Sequence, residues 1–285
     1  MPTQIAVQLE KARRLILETN RKYYQDNCAM LAAALAFHSL FSIFPLLLFL
    51  IYVGSEVLDP AEVYALLSSG LIQSLPTGGD SISEIISVTR DLSGSIGLVG
   101  ALGLLWSASS IFAVLETALN RIWGATPRGF WRTRLVATGS ILALSLVFLA
   151  SVTLGQFVPR LLALIPLPGL QPLGSLISFL FVVLVLVIFY RTFPNRRIPQ
   201  RPALYAGLAT GALIFLARLI FDVFINSAFV NYGTVYGSLA WIVSLALWAY
   251  VVAILFLWGA ELGSFLEVEA KASALPSHTG SAQNA

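Results

Sequence analysis

The fold is decided by residues 201–261, which read RPALYAGLATGALIFLARLIFDVFINSAFVNYGTVYGSLAWIVSLALWAYVVAILFLWGAE. Between Arg201 and Glu261 this segment carries only two charged residues, Arg218 and Asp222, which lie four positions apart. About 20 apolar residues cross the hydrocarbon core of a bilayer, so the segment suits two crossings. The sequence therefore predicts a cation and an anion on one face of a helix inside a membrane. An ionisable residue is costly there, which makes both residues functional candidates.

The composition of the whole chain supports the same class of protein. Of 285 residues, 58% are hydrophobic and 11% are charged, with a mean hydropathy of +0.84. Soluble domains carry roughly 25% charged residues. The sequence thus predicts an all-α, polytopic membrane protein whose transmembrane domain covers residues 27–265. We expect six transmembrane helices, at residues 27–55, 92–115, 135–159, 161–190, 203–226 and 236–262.

The cations lie in blocks between these apolar segments. The blocks are residues 11–22, 121–134, 191–201 and Lys271, and they contain 14 of the 17 Lys and Arg residues. Basic residues in short loops favour the cytoplasmic side of a membrane, so we expect both termini to be cytoplasmic. The net charge of +3 is thus explained by membrane topology, and it gives no reason to expect a nucleic-acid partner.

The predicted segments outside the membrane are an N-terminal helix, a hairpin and a tail. Residues 1–26 predict an amphipathic helix, either on the cytoplasmic leaflet or packed on the protein's own cytoplasmic face. Residues 56–94 predict an external helical hairpin, which either acts as a lid or simply covers the bundle. Residues 266–285 predict a disordered cytoplasmic tail.

Arg218, Asp222 and Asn226 recur every four residues and therefore share one face of the fifth predicted span. One interpretation is a binding site in a polar interior. The other is an internal salt bridge that fixes helix packing. Arginine suits an anionic group such as a carboxylate or a phosphate.

Further polar residues lie at the cytoplasmic ends of the second and sixth predicted spans. Glu116 and Asn120 belong to the second and Glu261 to the sixth. They either converge with the fifth span to support a polar interior, or lie at the membrane interface facing Arg121 or Arg134.

His38 and Pro45 are the unusual residues of the first predicted span. We expect His38 to act as a proton relay or to form a hydrogen bond to a neighbouring helix. We expect Pro45 to kink the helix. The chain has two histidines and one cysteine, Cys28. A zinc site needs three or four ligands at recognisable spacing, so we expect neither a metal site nor a cofactor.

Several segments together resemble the BrkB/YihY family of bacterial inner-membrane proteins. They read AALAFHSLFSIFPLL at 33–47, ALNRIW at 118–123, YRTFPN at 190–195, YGSL at 236–239 and WGAEL at 258–262. This chain has His38 where we expect an aromatic such as tyrosine. The resemblance implies a six-helix, multi-pass protein of the bacterial inner membrane, linked to envelope integrity and to virulence-type resistance.

The resemblance also brings the label of a tRNA-processing ribonuclease, ribonuclease BN, which the residues argue against. The sequence offers no metal-ligand cluster and no soluble domain large enough for tRNA, so we expect no enzyme and no nucleic-acid partner. The first functional hypothesis is movement of a lipid or small anionic solute through a polar intramembrane cavity. The alternative is a non-transporting membrane scaffold for envelope assembly. Membrane lipids are the expected partners, and the oligomeric state stays open.

Overall fold

The computed structural model describes residues 4–55, 62–63, 65, 98–141, 171–236 and 238–274, and every regular element within them is helical. The helices are α1 (Gln4–Gln25), α2 (Cys28–Ser55), α3 (Leu98–Ile122), α4 (Gln171–Thr192), α5 (Gln200–Tyr236) and α6 (Ser238–Ala274), with a further helical segment at residues 130–141. The predicted all-α class is confirmed for this part of the chain.

Four stretches within these helices have the length and composition to cross a membrane. They are Cys28–Tyr52, Leu102–Ile122, Gln200–Phe224 and Ile242–Ser273, and Phe179–Thr192 is a shorter apolar helix. They match the first, second, fifth and sixth predicted spans and the end of the fourth. Most of the third predicted span and the start of the fourth, residues 142–170, lie outside the described residues.

The helices pack as neighbours around α6. α6 contacts α1, α2, α3 and α5, while α2 also contacts α3 and α4 contacts α5. The main core is built from apolar side chains on these helices and in the turn after α3, such as Leu35, Leu119, Trp123, Tyr190 and Leu257. The core is therefore shared by all these elements, and it lies toward the end where α2 and α5 begin and α3 and α4 end.

Two glycine pairs bring helices close together. A Cβ on Gly207 or Gly211 of α5 would lie 2.6 Å and 2.9 Å from the methyl groups of Val187 and Val183 on α4. The second pair is Gly259 and Gly263 of α6. A Cβ on Gly259 would lie 1.7 Å from the side-chain hydroxyl oxygen of Thr210 on α5. Small residues allow such close approach, so these glycines serve helix packing.

A sharp turn separates α1 from α2. Asn27 has a φ of 54°, in the left-handed region that commonly ends a helix. Its backbone amide donates a hydrogen bond to the Tyr24 carbonyl at 3.1 Å. The second half of α1 then packs on the bundle, where Thr19 and Tyr23 are buried. Burial raises the pKa of the Tyr23 phenol above its ordinary range.

The C-terminal helix corrects one sequence prediction. We placed a disordered tail at residues 266–285, whereas α6 continues through Ala274. Glu267 explains the extension, because its buried carboxylate pairs with Arg196 and with Lys271 one turn later. Residues 275–285 lie outside the described residues.

The predicted hairpin at 56–94 lies almost entirely outside the described residues. Its one described buried residue, Val63, packs in an apolar cluster with Leu50 and Ile51 of α2. Pro45 lies in the interior of α2, which is helical on both sides of it.

Candidate functional site

Arg218 and Asp222 are both partly exposed on α5. Among the ion pairs of the described residues, none joins these two side chains. The third predicted member, Asn226, lies one turn further along α5, outside the residues whose side chains are described. The structure thus places two opposite charges one turn apart without pairing them.

The pair faces the side of α5 that packs against α4. Successive residues of an α-helix are rotated by about 100°, so Gly211, Arg218 and Asp222 lie within about 20° of one line along α5. Gly207 packs beside Val187 and Gly211 beside Val183, so α4 and α5 are antiparallel. Arg218 and Asp222 follow Gly211 on that side of α5 by about two and three helical turns.

The opposite side of this part of α5 is apolar and exposed. Its large side chains are Leu216, Ile220 and Val223, and Ile220 is 63% exposed. A third face is buried, since the Phe221 ring packs at a tilt against Trp248 of α6, with 5.0 Å between ring centroids. The exposed side of this half of α5 is therefore apolar, whereas the side toward α4 carries two partly exposed charges.

A buried ion pair lies where α3 ends. The carboxylate of Glu116 is 2.9 Å from the Arg128 guanidinium, and both side chains are largely buried. Asn120 and Thr133 donate hydrogen bonds to the same carboxylate oxygen at 3.5 and 3.4 Å. Glu116 therefore faces Arg128, rather than Arg121 or Arg134 as one sequence interpretation had it.

Arg128 and Asn120 also hold the turn that follows α4. The Arg128 guanidinium donates hydrogen bonds to the carbonyls of Thr192, Phe193 and Pro194, the shortest at 2.7 Å to Phe193. The side-chain oxygen of Asn120 accepts a hydrogen bond from the backbone amide of Asn195 at 2.6 Å. These contacts connect the ends of α3 and α4.

Glu261 lies in a separate buried group between α1, α2 and α6. Its carboxylate is fully buried, accepts a hydrogen bond from the Cys28 thiol at 3.4 Å, and lies 3.9 Å from the Lys22 ammonium. Lys22 also donates to the Ser264 hydroxyl at 3.0 Å. One carboxylate oxygen of Glu261, Oε2, has no hydrogen-bond partner among the described residues.

A third ionic contact lies further along α6. Arg196, in the turn after α4, pairs with the buried carboxylate of Glu267 and donates to the Trp123 carbonyl at 2.6 Å. We call the end of the bundle that holds Lys22, Arg128, Arg196 and these three carboxylates the basic end.

The structure separates the basic end from the charged pair on α5. Gly259 of α6 lies against Thr210 of α5, and Arg218 follows Thr210 by eight residues, about 12 Å of helix. Glu261 lies on the other side of that contact level, toward the basic end. The predicted polar residues therefore form distinct groups along the bundle.

His38 lies on α2 and is partly exposed. Its ring makes an edge-to-face contact with Phe37, with centroids 5.7 Å apart. No hydrogen bond to the His38 ring occurs within the part of the chain that the structure describes. The described residues also contain no group of three or more His, Cys, Asp or Glu side chains placed to hold a metal ion.

Sequence reasoning missed the partners at the basic end. Arg128, Arg196 and Lys22 entered it only as members of cationic blocks, and Glu267 was assigned to the tail. A signal was present for Glu267, because Lys271 follows it at the spacing of a helical ion pair. No comparable spacing links Arg128 to Glu116, which are brought together by the turn between them.

Comparison with known proteins identifies the family. The model of the family described as virulence factor BrkB matches residues 19–283. A UPF0761 membrane protein of Acinetobacter baylyi is 29% identical over 260 residues, which cover 87% of this chain and 61% of the relative. A UPF0761 membrane protein of Psychromonas ingrahamii is 29% identical over 253 residues, covering 87% and 85%.

A UPF0761 membrane protein of Pseudomonas aeruginosa is 25% identical over 246 residues, covering 85% of this chain and 60% of the relative. The chain thus spans about three fifths of the length of the Acinetobacter and Pseudomonas relatives. No solved structure matches. With a family model over most of its length, this chain belongs to the BrkB family of membrane proteins.

Proposed function

We propose that this protein moves an anionic lipid or a small anionic solute along the polar face of α5, where Arg218, Asp222 and Asn226 lie. One observation carries the proposal. Arg218 and Asp222 are partly exposed and no ion pair joins them, although they lie in a membrane-length apolar helix. Neither side chain forms an ion pair within the described residues. A charge without a partner is costly in hydrocarbon, which favours water or a charged ligand beside these side chains.

The chemistry of the pair favours an anionic cargo. A guanidinium presents a planar fork of donors that matches carboxylate and phosphate oxygens. Asp222, one turn away, balances the charge of Arg218 and can hold its side chain near the path. A phospholipid headgroup and a free solute share this anionic chemistry.

The proposal includes a topology. We propose six spans in the bacterial inner membrane, with the basic end and both termini in the cytoplasm, in accord with the positive-inside rule. The predicted hairpin at 56–94 then belongs to the periplasmic side of that membrane. Membrane lipids are the proposed partners, nucleic acid is not, and the role is non-enzymatic and contributes to envelope integrity.

Proteoliposomes test the transport proposal with two probes. Fluorescent phosphatidylglycerol, bleached from outside by dithionite, reports lipid movement between leaflets, and labelled inorganic phosphate reports solute uptake. We expect one probe to move with the unaltered protein and not with Arg218→Gln. The control Arg132→Gln changes an exposed cation outside the apolar helices and should leave movement unchanged. Probe movement that persists in Arg218→Gln would show that this arginine is not part of the transport path.

A specific observation favours the scaffold alternative, namely the network of buried ion pairs that ties α1, α3, α6 and the turn after α4 together at the basic end. A rigid end of this kind suits a protein that supports partners. A charge exchange separates the two readings. Each single change, Arg218→Asp or Asp222→Arg, is compared with the two changes combined. If the combined exchange restores both protein level and cell-envelope integrity, the pair is structural and the scaffold reading is favoured.

A further inference from the structure

The first half of α1 stands apart from the rest of the molecule. Every residue from 6 to 14 is exposed, whereas Thr19 and Tyr23 in the second half are buried against the bundle. Isolated helices shorter than about 12–15 residues are marginal in water. The described part of the molecule therefore leaves the side chains of this half of α1 uncovered.

One face of this exposed half is apolar. Leu9, Ala12 and Ile16 follow one another at steps of three and four residues, which places them along one stripe. The next members at the same spacing are Thr19 and Tyr23, which are buried. The stripe thus begins in an established contact with the bundle and continues beyond it, where Leu9 is 66% exposed.

The exposed half carries three cations and one anion, Glu10, outside the stripe. Lys11 and Arg14 lie on the side opposite the stripe, and Arg13 lies at its edge. Over the whole helix five cations stand against two anions, a net charge of +3. An apolar stripe flanked by cations is the pattern of helices that lie in the interface of an anionic membrane.

The connection to α2 holds α1 close to the bilayer. Only Asp26 and Asn27 separate the end of α1 at Gln25 from Cys28, the first residue of a candidate membrane span. Leu9 precedes Gln25 by 16 residues, about 24 Å of helix. The short connection therefore keeps Leu9 within about 24 Å of the start of this candidate membrane span.

We propose that the stripe of Leu9, Ala12 and Ile16 docks on an anionic lipid surface, with Lys11, Arg13 and Arg14 placed to contact lipid headgroups. The docking requires no transport activity and stands separately from the function proposed above. In this proposal the second half of α1 packs on the protein, and its first half binds the lipid surface.

Two matched cysteine variants test the docking in the full-length protein. Cys28→Ser gives a cysteine-free background, because the chain has one cysteine. Leu9→Cys places a small fluorophore on the stripe, and Val7→Cys places it two residues away on the basic side. The proteins are reconstituted in nanodiscs of equal parts phosphatidylglycerol and phosphatidylcholine. Quenching is measured with aqueous iodide and with a lipid-attached nitroxide.

The expected result is opposite quenching at the two positions. The Leu9→Cys label should be quenched by the lipid-attached nitroxide and protected from iodide, and the Val7→Cys label should show the reverse. Changing Lys11, Arg13 and Arg14 to Gln should lower the docked-to-free ratio about five-fold for each cation removed. Nanodiscs of phosphatidylcholine alone should also weaken the docking.

Three results would overturn the proposal. Equal iodide quenching at both positions would show an undocked helix. Protection of the Leu9→Cys label from both quenchers would show a protein partner or a second copy on the stripe. Undiminished docking in phosphatidylcholine alone would exclude the proposed role of the anionic lipid.

Discussion

At the residue scale, Arg128 joins the ends of two helices. It pairs with buried Glu116 and donates to three consecutive carbonyls after α4. Removing one partner of a buried pair leaves an uncompensated charge, which costs about 3–5 kcal/mol. Arg128→Ala should therefore lower the free energy of unfolding by about that amount, read as a lower melting temperature in detergent.

The matched control for this change is Arg132→Ala, at an exposed cation of the same segment. It should leave the melting temperature nearly unchanged. Adding Glu116→Ala to Arg128→Ala should recover part of the loss, because the orphaned charge is gone. Equal melting temperatures for Arg128→Ala and Arg132→Ala would contradict the role of the ion pair.

Gly259 marks the closest approach between α5 and α6. A Cβ there would lie 1.7 Å from the Thr210 hydroxyl oxygen and 2.9 Å from the Tyr190 hydroxyl. Gly259→Ala should destabilise the protein by about 1–3 kcal/mol, the usual range for overpacking. The measurement is the melting temperature and yield of folded protein.

A matched glycine supplies the control for this clash. Gly103→Ala on α3 meets no atom within 4 Å of the new Cβ and should be tolerated. Thr210→Ala removes the clashing hydroxyl, so it should partly rescue Gly259→Ala. If Gly259→Ala matches Gly103→Ala in stability, the close packing of α5 on α6 is wrong.

At the element scale, Tyr190 connects three helices through hydrogen bonds. Its hydroxyl donates to the Phe256 carbonyl of α6 at 2.7 Å and bonds the Thr210 hydroxyl of α5 at 2.9 Å, while its ring belongs to α4. Tyr190→Phe should lower the free energy of unfolding by about 1–3 kcal/mol, because it leaves buried groups unpaired. Tyr205→Phe, at an exposed tyrosine of α5, is the control. A loss no larger than that of the control would count against the three-helix contact.

The sequence predicted some elements well, for a physical reason. Long apolar runs between charged blocks give the first, second, fifth and sixth spans, because a helix that crosses a bilayer needs about 20 such residues. The end of α6 was misjudged, since local polarity after residue 265 suggested a tail. Glu267 is instead held by Arg196, a partner 71 residues away.

The candidate site was predictable only in part. Charge in an apolar run identifies Arg218 and Asp222, and a spacing of four places them on one face. That face lies toward α4, which depends on how Gly207 and Gly211 pack and is not contained in the spacing. The spacing of Glu267 and Lys271 predicts their ion pair. The contacts of Lys22 with Glu261 and of Arg196 with Glu267 were not predictable, because they join residues distant in sequence.

At the scale of the whole molecule, two groups of charged residues differ in how they are paired. The basic end holds buried pairs that tie α1, α3, α6 and the turn after α4 together. The charged face of α5 lies further along the bundle and has no such pairing among the described residues. We infer that the first group fixes the structure and that the second is available to a ligand.

The most direct test of this account is the water accessibility of the α5 face. In the Cys28→Ser background, Phe215→Cys lies on the side of α5 that carries Asp222, and Ile220→Cys lies on the opposite side. Both native side chains are well exposed, at 57% and 63%. Intact cells are treated with a membrane-impermeant thiol reagent. The account predicts labelling at position 215 and protection by lipid at 220. Protection at both positions would mean a charged face without water, and would contradict a polar path through the membrane.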